Sequence, residues 1–171
     1  MTDQSRIRAG IETALPDRAD FLNRMVGTLS ETIEDFIGLE DAEHFIGIVG
    51  RRIGNSELAD FPMGEKVDAA GLARHLTAFK ARIGGGFAIE SIDGDTITLV
   101  NTRCPFGKEA VGRPSLCQMT VNVFGRVAAN ATGFARVSVP EALSRGDQRC
   151  RVTVKLTHAK DADDDGQDFF G

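Results

Sequence analysis

The apolar spacing of this chain first changes period at Gly84-Gly85-Gly86, and no other feature constrains the fold as much. Before the triplet, apolar residues recur every three or four positions, as on one face of a helix. After it they alternate, as along a strand with one face buried. From Asp17 to Leu39 the stripe is Phe21, Met25, Leu29, Ile33 and Phe36, with Asp17 or Asp20 as the cap and Gly38 as the stop. A second helix is expected from about Asp41 to Ile53, with Phe45, Ile48 and Val49 on one side and Gly54-Asn55 at its end. Residues 55–65, with Pro62, read as a loop. A third helix fits Lys66 to Ile83, with Leu72, Leu76 and Phe79 inward, and the glycine triplet ends it.

Beyond the triplet, Phe87 to Ile92 and Thr96 to Asn101 alternate around Asp93-Gly94, a tight-turn signal between paired strands. A loop over 104–113 leads to a fourth helix, Pro114 to Ala131, with proline near its start and Gly133 closing it. Phe134 to Val139 and Cys150 to Leu156 read as two further strands, joined through Arg145-Gly146-Asp147. The sum is an α+β fold: N-terminal helices followed by an antiparallel sheet in the order hairpin, helix, hairpin. Residues 1–16 read as an N-terminal extension, 17–158 as a single domain and 159–171 as an acidic tail, mobile at least in part.

A net charge of −5 argues against direct nucleic-acid binding, which needs a basic footprint to neutralise phosphates. The densest basic pair is Arg51-Arg52, and a pair is too little. No apolar run follows a basic start, and none approaches the roughly 18 residues of a membrane span. The expected location is the cytoplasm, where thiols stay reduced. An odd count of three cysteines cannot pair fully within one chain. They are then buried fillers, reactive thiols or metal ligands.

Their positions narrow this. Cys104 follows a strand, Cys117 stands near a helix start twelve residues on, and Cys150 begins the last strand. Each lies at an element boundary, where a side chain can project into a shared pocket. A thiolate binds metal, and its pKa falls near a helix N-terminus or a metal, so Cys117 is well placed. Iron–sulfur clusters and structural zinc take four protein ligands as a rule. Three thiolates leave one position open, which suits a labile, sensing centre.

The segments Cys104-Pro105-Phe106-Gly107, Pro114-Ser115-Leu116-Cys117, Phe124-Gly125 and Gly146-Asp147-Gln148-Arg149-Cys150-Arg151-Val152 together resemble the methanogen output domain family. They are also similar to the C-terminal sensor half of SufR-type iron–sulfur regulators and, more distantly, to 4-vinyl-reductase domains. The resemblance implies a sensory domain holding an iron–sulfur cluster (of the 4Fe-4S type) through Cys104, Cys117 and Cys150, with zinc as the alternative. A fourth cysteine of the SufR type is missing: Asn130 and Ala131 stand in that region. The glutamate and cysteine that hold zinc in the 4-vinyl-reductase relatives are not reproduced in Val139-Pro140-Glu141-Ala142-Leu143. The winged helix of the repressors is absent too. The expectation is a sensor that signals through a partner, such as a histidine kinase or a DNA-binding regulator.

The remaining features fall short of a site. His44 and His75, on helices, are candidates for a fourth ligand, and His158 follows the last strand. Asp161 to Gly166 matches half of a calcium loop, but no closing glutamate follows. The glycine triplet comes after a helix and before a strand, the reverse of a phosphate loop. Ser115 and Ser144 have no His and Asp pattern beside them, neither Cys104 nor Cys117 has an assigned base, and the chain is not read as an enzyme. An alternative function is a binding module for an aromatic ligand, lined by Phe79, Phe87, Phe124 and Phe134, with zinc-bound or unliganded cysteines. The long Phe-bearing helix from Asp17 to Leu39 suggests a homodimer.

Overall fold

The computed structural model describes residues 17–57, 67–158 and 165–171. Helix α1 spans Arg18–Ile37, α2 Leu39–Glu57 and α3 Ala69–Arg82. Strands β1 (Phe87–Asp93) and β2 (Thr96–Asn101) follow, then α4 (Cys117–Thr132), β3 (Phe134–Glu141), β4 (Cys150–Lys155) and β5 (Gln167–Phe170). Short 3-10 turns occupy Gly107–Ala110, Pro114–Leu116 and Leu143–Arg145. The five strands form one antiparallel sheet in the order β1-β2-β4-β3-β5. The fold is α+β, with N-terminal helices and then a sheet. Among the described residues no helix is long and apolar enough to cross a membrane.

Local chemistry explains most boundaries. The Asp17 carboxylate accepts from the Asp20 backbone N–H at 2.8 Å and caps α1; Asp68 does the same for α3, from Gly71 at 2.7 Å. Gly84, at φ +83, provides the left-handed turn that ends α3 and frees the chain to enter β1. The third helix starts at Ala69, not at the expected Lys66, because Asp68 caps it with Val67 and Asp68 outside the helix; Lys66 itself and most of the 55–65 loop lie outside the described residues.

One face of the sheet is the core. Ile97 and Leu99, Val152 and Val154, Ala135 and Val137 alternate inward from three neighbouring strands and are 0–1% exposed. Helix α4 lies over them with Phe124, Val127 and Ala128 buried, and α3 adds Leu72, Leu76 and Phe79. The opposite side of α4 receives α2. Gly47, Gly50 and Gly54 make this possible: a β-carbon on Gly50 would stand 2.9 Å from that of Asn122, and one on Gly54 3.0 Å from that of Arg126. Close packing of Gly54 on α4 carries α2 through the expected stop at Gly54-Asn55 to Glu57. Arg51 is used structurally, donating to the buried Asn122 side chain at 2.8 Å.

Two differences from the sequence reading matter. The stripe on α1 faces outward for the most part: Phe21, Leu29 and Phe36 are 57%, 54% and 84% exposed. That helix packs through small residues instead, with Gly27 against Glu109 and Ser30 bonded to Ser115 at 2.8 Å. The second difference is in the tail, where residues 167–170 form β5 on the edge strand β3. Phe169 is buried there, with its ring over Gly125 of α4, the one place on that helix without a side chain to obstruct it. The half calcium loop falls largely on residues outside the described set.

Candidate thiol centre

Cys104, Cys117 and Cys150 line one cavity of about 30 Å3 at the end of the sheet. Strand register accounts for two of them. Asn101, last in β2, is the cross-strand partner of Cys150, first in β4, and Cys104 follows three residues later. Cys117 opens α4, behind the 3-10 turn that starts at Pro114. Segments far apart in sequence therefore deliver three thiols to one spot.

The Cys104 segment is held in place by Asn101. Its side-chain oxygen accepts from the backbone N–H groups of Gly86 and Arg103, each at 3.0 Å, and the residue is only 2% exposed. Gly107, at φ +57, then turns the chain so that its N–H reaches the Cys104 carbonyl at 2.9 Å. The Cys117 sulfur lies 2.9 Å from the Ser144 hydroxyl, and the Cys150 sulfur accepts from the Leu143 N–H at 3.4 Å. The remaining walls include Phe87, Leu116 and Thr120.

Electrostatics favour the neutral thiol at all three positions. Burial is the largest cause, pushing each thiol above its ordinary pKa. A backbone hydrogen bond from Phe106, the Ser144 hydroxyl and the Leu143 N–H oppose this at Cys104, Cys117 and Cys150 in turn. So does the charge of Lys80, which acts on all three. The help expected for Cys117 at a helix start is outweighed by its burial.

Lys80 is the residue that the sequence reading missed. It is 1% exposed on α3, and its ammonium donates to Thr120 Oγ1 at 2.8 Å. The rings of Phe124, Phe87 and Phe79 surround it at 5.2, 5.7 and 5.9 Å. Burial pulls its pKa from 10.5 down to about 8, and the three cysteines resist that change. A signal for it existed: Lys80 falls four residues after Leu76 and eight after Leu72, on the buried stripe of α3. Asn101 offered the same kind of signal, since it continues the inward alternation of Ile97 and Leu99.

Neither His44 nor His75 lines the thiol cavity. His44 is exposed beside Arg51 and Gln118, and His158 packs on the Phe134 ring at 5.2 Å. Of the four phenylalanines expected to frame a ligand, Phe79, Phe87 and Phe124 close around the Lys80 ammonium and Phe134 lies apart. Phe87 and Phe124 pack edge-on at 5.5 Å inside the core, and Phe134 packs against Phe170. A different apolar cleft, of about 560 Å3, opens between the helices, lined among others by Leu29, Ile33, Phe45, Val49, Phe79 and Met119. Pro105, Phe106 and Leu116 line both this cleft and the thiol cavity, so the two share a wall.

Three thiols are a donor set for a thiophilic metal. A cavity of about 30 Å3 has the size of one water molecule or one ion. A cubane cluster is larger, and would require the walls to part. As they stand, no three His, Cys, Asp or Glu side chains among the described residues are arranged to hold a metal ion. Coordination therefore requires the thiols to draw together.

Comparison with known proteins adds a family and a fold. The sequence model for methanogen output domain 1 matches residues 25–155. No curated protein matches the sequence. Among solved structures, the chain is similar to a trafficking protein particle complex subunit 3 from Naegleria fowleri, covalently bound to palmitic acid. The two are 15% identical, with a TM-score of 0.53 over 82% of this chain and 95% of that one. At that identity the likeness is one of fold.

Proposed function

We propose, from the premise that this chain belongs to the methanogen output domain 1 family, that it is a sensory signalling domain whose input is a thiol-ligated metal centre. Cys104, Cys117 and Cys150 are its ligands. The observation that carries this reading is the delivery of all three cysteines to one cavity by three separate segments: the loop after β2, the start of α4 and the start of β4. The metal, when bound, supplies a centre that responds to redox state, oxygen or metal supply. The residues of the chain hold it, exclude water and surround it with the wall shared with the apolar cleft. Zinc, as a single ion, matches the volume of the cavity and needs only that the thiols draw together; an iron–sulfur cluster is the form that displaces its walls.

Metal analysis tests the reading. Protein purified without oxygen, then reconstituted with iron and sulfide or with zinc, is expected to retain one centre per chain. Replacing any of the three cysteines by serine is expected to abolish retention. Protein that stays metal-free under both treatments would sink the proposal.

The signal leaves through a partner, a histidine kinase or a DNA-binding regulator, from a homodimer formed on α1. The support for the dimer is the apolar face that Phe21, Met25, Leu29 and Phe36 present to solvent. Sedimentation is expected to show a dimer, and Phe36→Glu a monomer; a monomeric parent protein removes this part of the reading.

The 560 Å3 cleft favours a second reading, a module for a small apolar molecule, because its volume and apolar lining are those of a ligand site. Under this reading, an aromatic or aliphatic compound raises the melting temperature of the reduced, metal-free protein. A broad screen with no shift counts against it.

A further inference from the structure

The apolar cleft between the helices has one charged wall, Lys80. Its other lining residues are apolar except Asn23 and Ser30, and Ser30 is already bonded to Ser115. The walls grade from exposed, at Leu29, Phe45 and Ile53, to buried, at Leu116, Val123 and Lys80. Lys80 therefore stands at the closed end, beneath an open apolar mouth.

A buried ammonium is costly unless an anion and hydrogen-bond acceptors meet it. Among the described residues no carboxylate pairs with Lys80. Its one acceptor is Thr120 Oγ1, at 2.8 Å, and the rings of Phe79, Phe87 and Phe124 supply the rest of its surroundings. An ammonium carries three N–H donors, so Thr120 leaves two of them unused. The Thr120 hydroxyl accepts that bond, and its own O–H donates to no group among the described residues. A methionine would fill the same space at less cost, so packing does not account for the charge.

We propose that the cleft is a binding site for an apolar monocarboxylate, with the acid group held by Lys80 and Thr120 and the apolar body lying along the cleft. This rests on the reading of the cleft as a ligand site and assigns that ligand its chemical class. One ammonium balances one carboxylate, and the neighbouring hydroxyl supplies a donor for the second oxygen. A phosphate monoester, with a charge near −2, would keep part of its charge unbalanced. The apolar body would cover Leu29, Phe45 and Ile53, which the chain alone leaves in water. The flexible lysine stem lets the ammonium turn to the acid by a change of rotamer.

Calorimetric titration of the reduced, metal-free full-length chain tests this. The probes are straight-chain acids of graded length and 4-phenylbutyric acid, each beside its own primary amide, which has the same shape and no charge. At least one acid is expected to bind about 10–100-fold more tightly than its amide, and the better series tells a chain-shaped site from a ring-shaped one. In Lys80→Met that preference is expected to vanish while the affinity for the amide is kept, which shows that the cleft is still folded. Lys80→Gln serves in the same way if the methionine variant does not fold. Acid and amide binding equally to wild type, or a preference that survives in the folded variant, overturns the assignment and leaves the cleft a ligand site. No binding by any acid or amide, as a cleft closed by a second copy would give, overturns both.

Discussion

Replacing Lys80 by methionine should stabilise the metal-free protein, against the usual direction for a core substitution. The magnitude follows from the protonation of the ammonium. Its pKa falls from 10.5 to about 8 in the folded state. At about 1.4 kcal/mol for each tenfold in proton affinity, that corresponds to a penalty of about 3 kcal/mol on the charged form at neutral pH. Methionine removes the penalty and loses one hydrogen bond to Thr120 and the attraction of the rings, together about 1–2 kcal/mol. The net gain is then about 1–2 kcal/mol, within the range seen when buried charges are replaced by apolar side chains. The pH dependence has a definite sign. Below pH 8 Lys80 is protonated in both states, and the penalty is complete. Between pH 8 and 10.5 the folded state holds fewer protons than the unfolded one, so wild-type stability rises relative to the variant. Urea unfolding of both reduced proteins at pH 7 and at pH 10 measures this. The variant should lead at pH 7 and fall level with or below wild type at pH 10, since wild type gains about 2–3 kcal/mol over that interval. A variant less stable than wild type by more than about 1 kcal/mol at pH 7, or a difference unchanged between the two pH values, refutes the reasoning.

Other consequences are as direct. Asn101→Leu leaves the N–H of Arg103 without its acceptor and weakens that of Gly86; urea unfolding should register a loss of about 1–3 kcal/mol, together with lower zinc retention as Cys104 shifts. Gly125→Ala puts a β-carbon into the ring of Phe169. It should release β5 and cost about 1.5–3 kcal/mol, seen as faster hydrogen exchange at Ala135 and Val137 with little change at β2. Since burial keeps all three thiols protonated near neutral pH, zinc must displace protons, and its affinity should rise with pH. Calorimetry in buffers of different ionisation enthalpy should find two or three protons released per ion, and zero release would show that these thiols are not its ligands.

The period switch at the glycine triplet, the cap at Asp17 and the hairpin at Asp93-Gly94 were all legible, because each rests on neighbouring residues alone. Contacts between distant segments were not. Gly54 looks like a helix stop until α4 is laid against it. Gln167 to Phe170 looks like the end of a polar tail until Gly125, more than forty residues earlier, leaves room for Phe169. The α1 stripe has the right period for burial, but periodicity does not say whether the burying surface belongs to the same chain. At the candidate site the cysteines stood out by their scarcity and their boundary positions. Lys80 and Asn101 were hidden by their residue types, since a lysine or an asparagine is normally read as surface. Their registers, on the inward stripe of α3 and the inward alternation of β2, carried the information instead.

The central claim is that Cys104, Cys117 and Cys150 act together as metal ligands. X-ray absorption at the metal edge of the zinc-loaded protein counts the sulfur neighbours directly. Three sulfur atoms are expected at about 2.3 Å, falling to two in Cys117→Ser if that variant still holds the ion. A shell of nitrogen and oxygen alone, or a spectrum unchanged by the substitution, would contradict it.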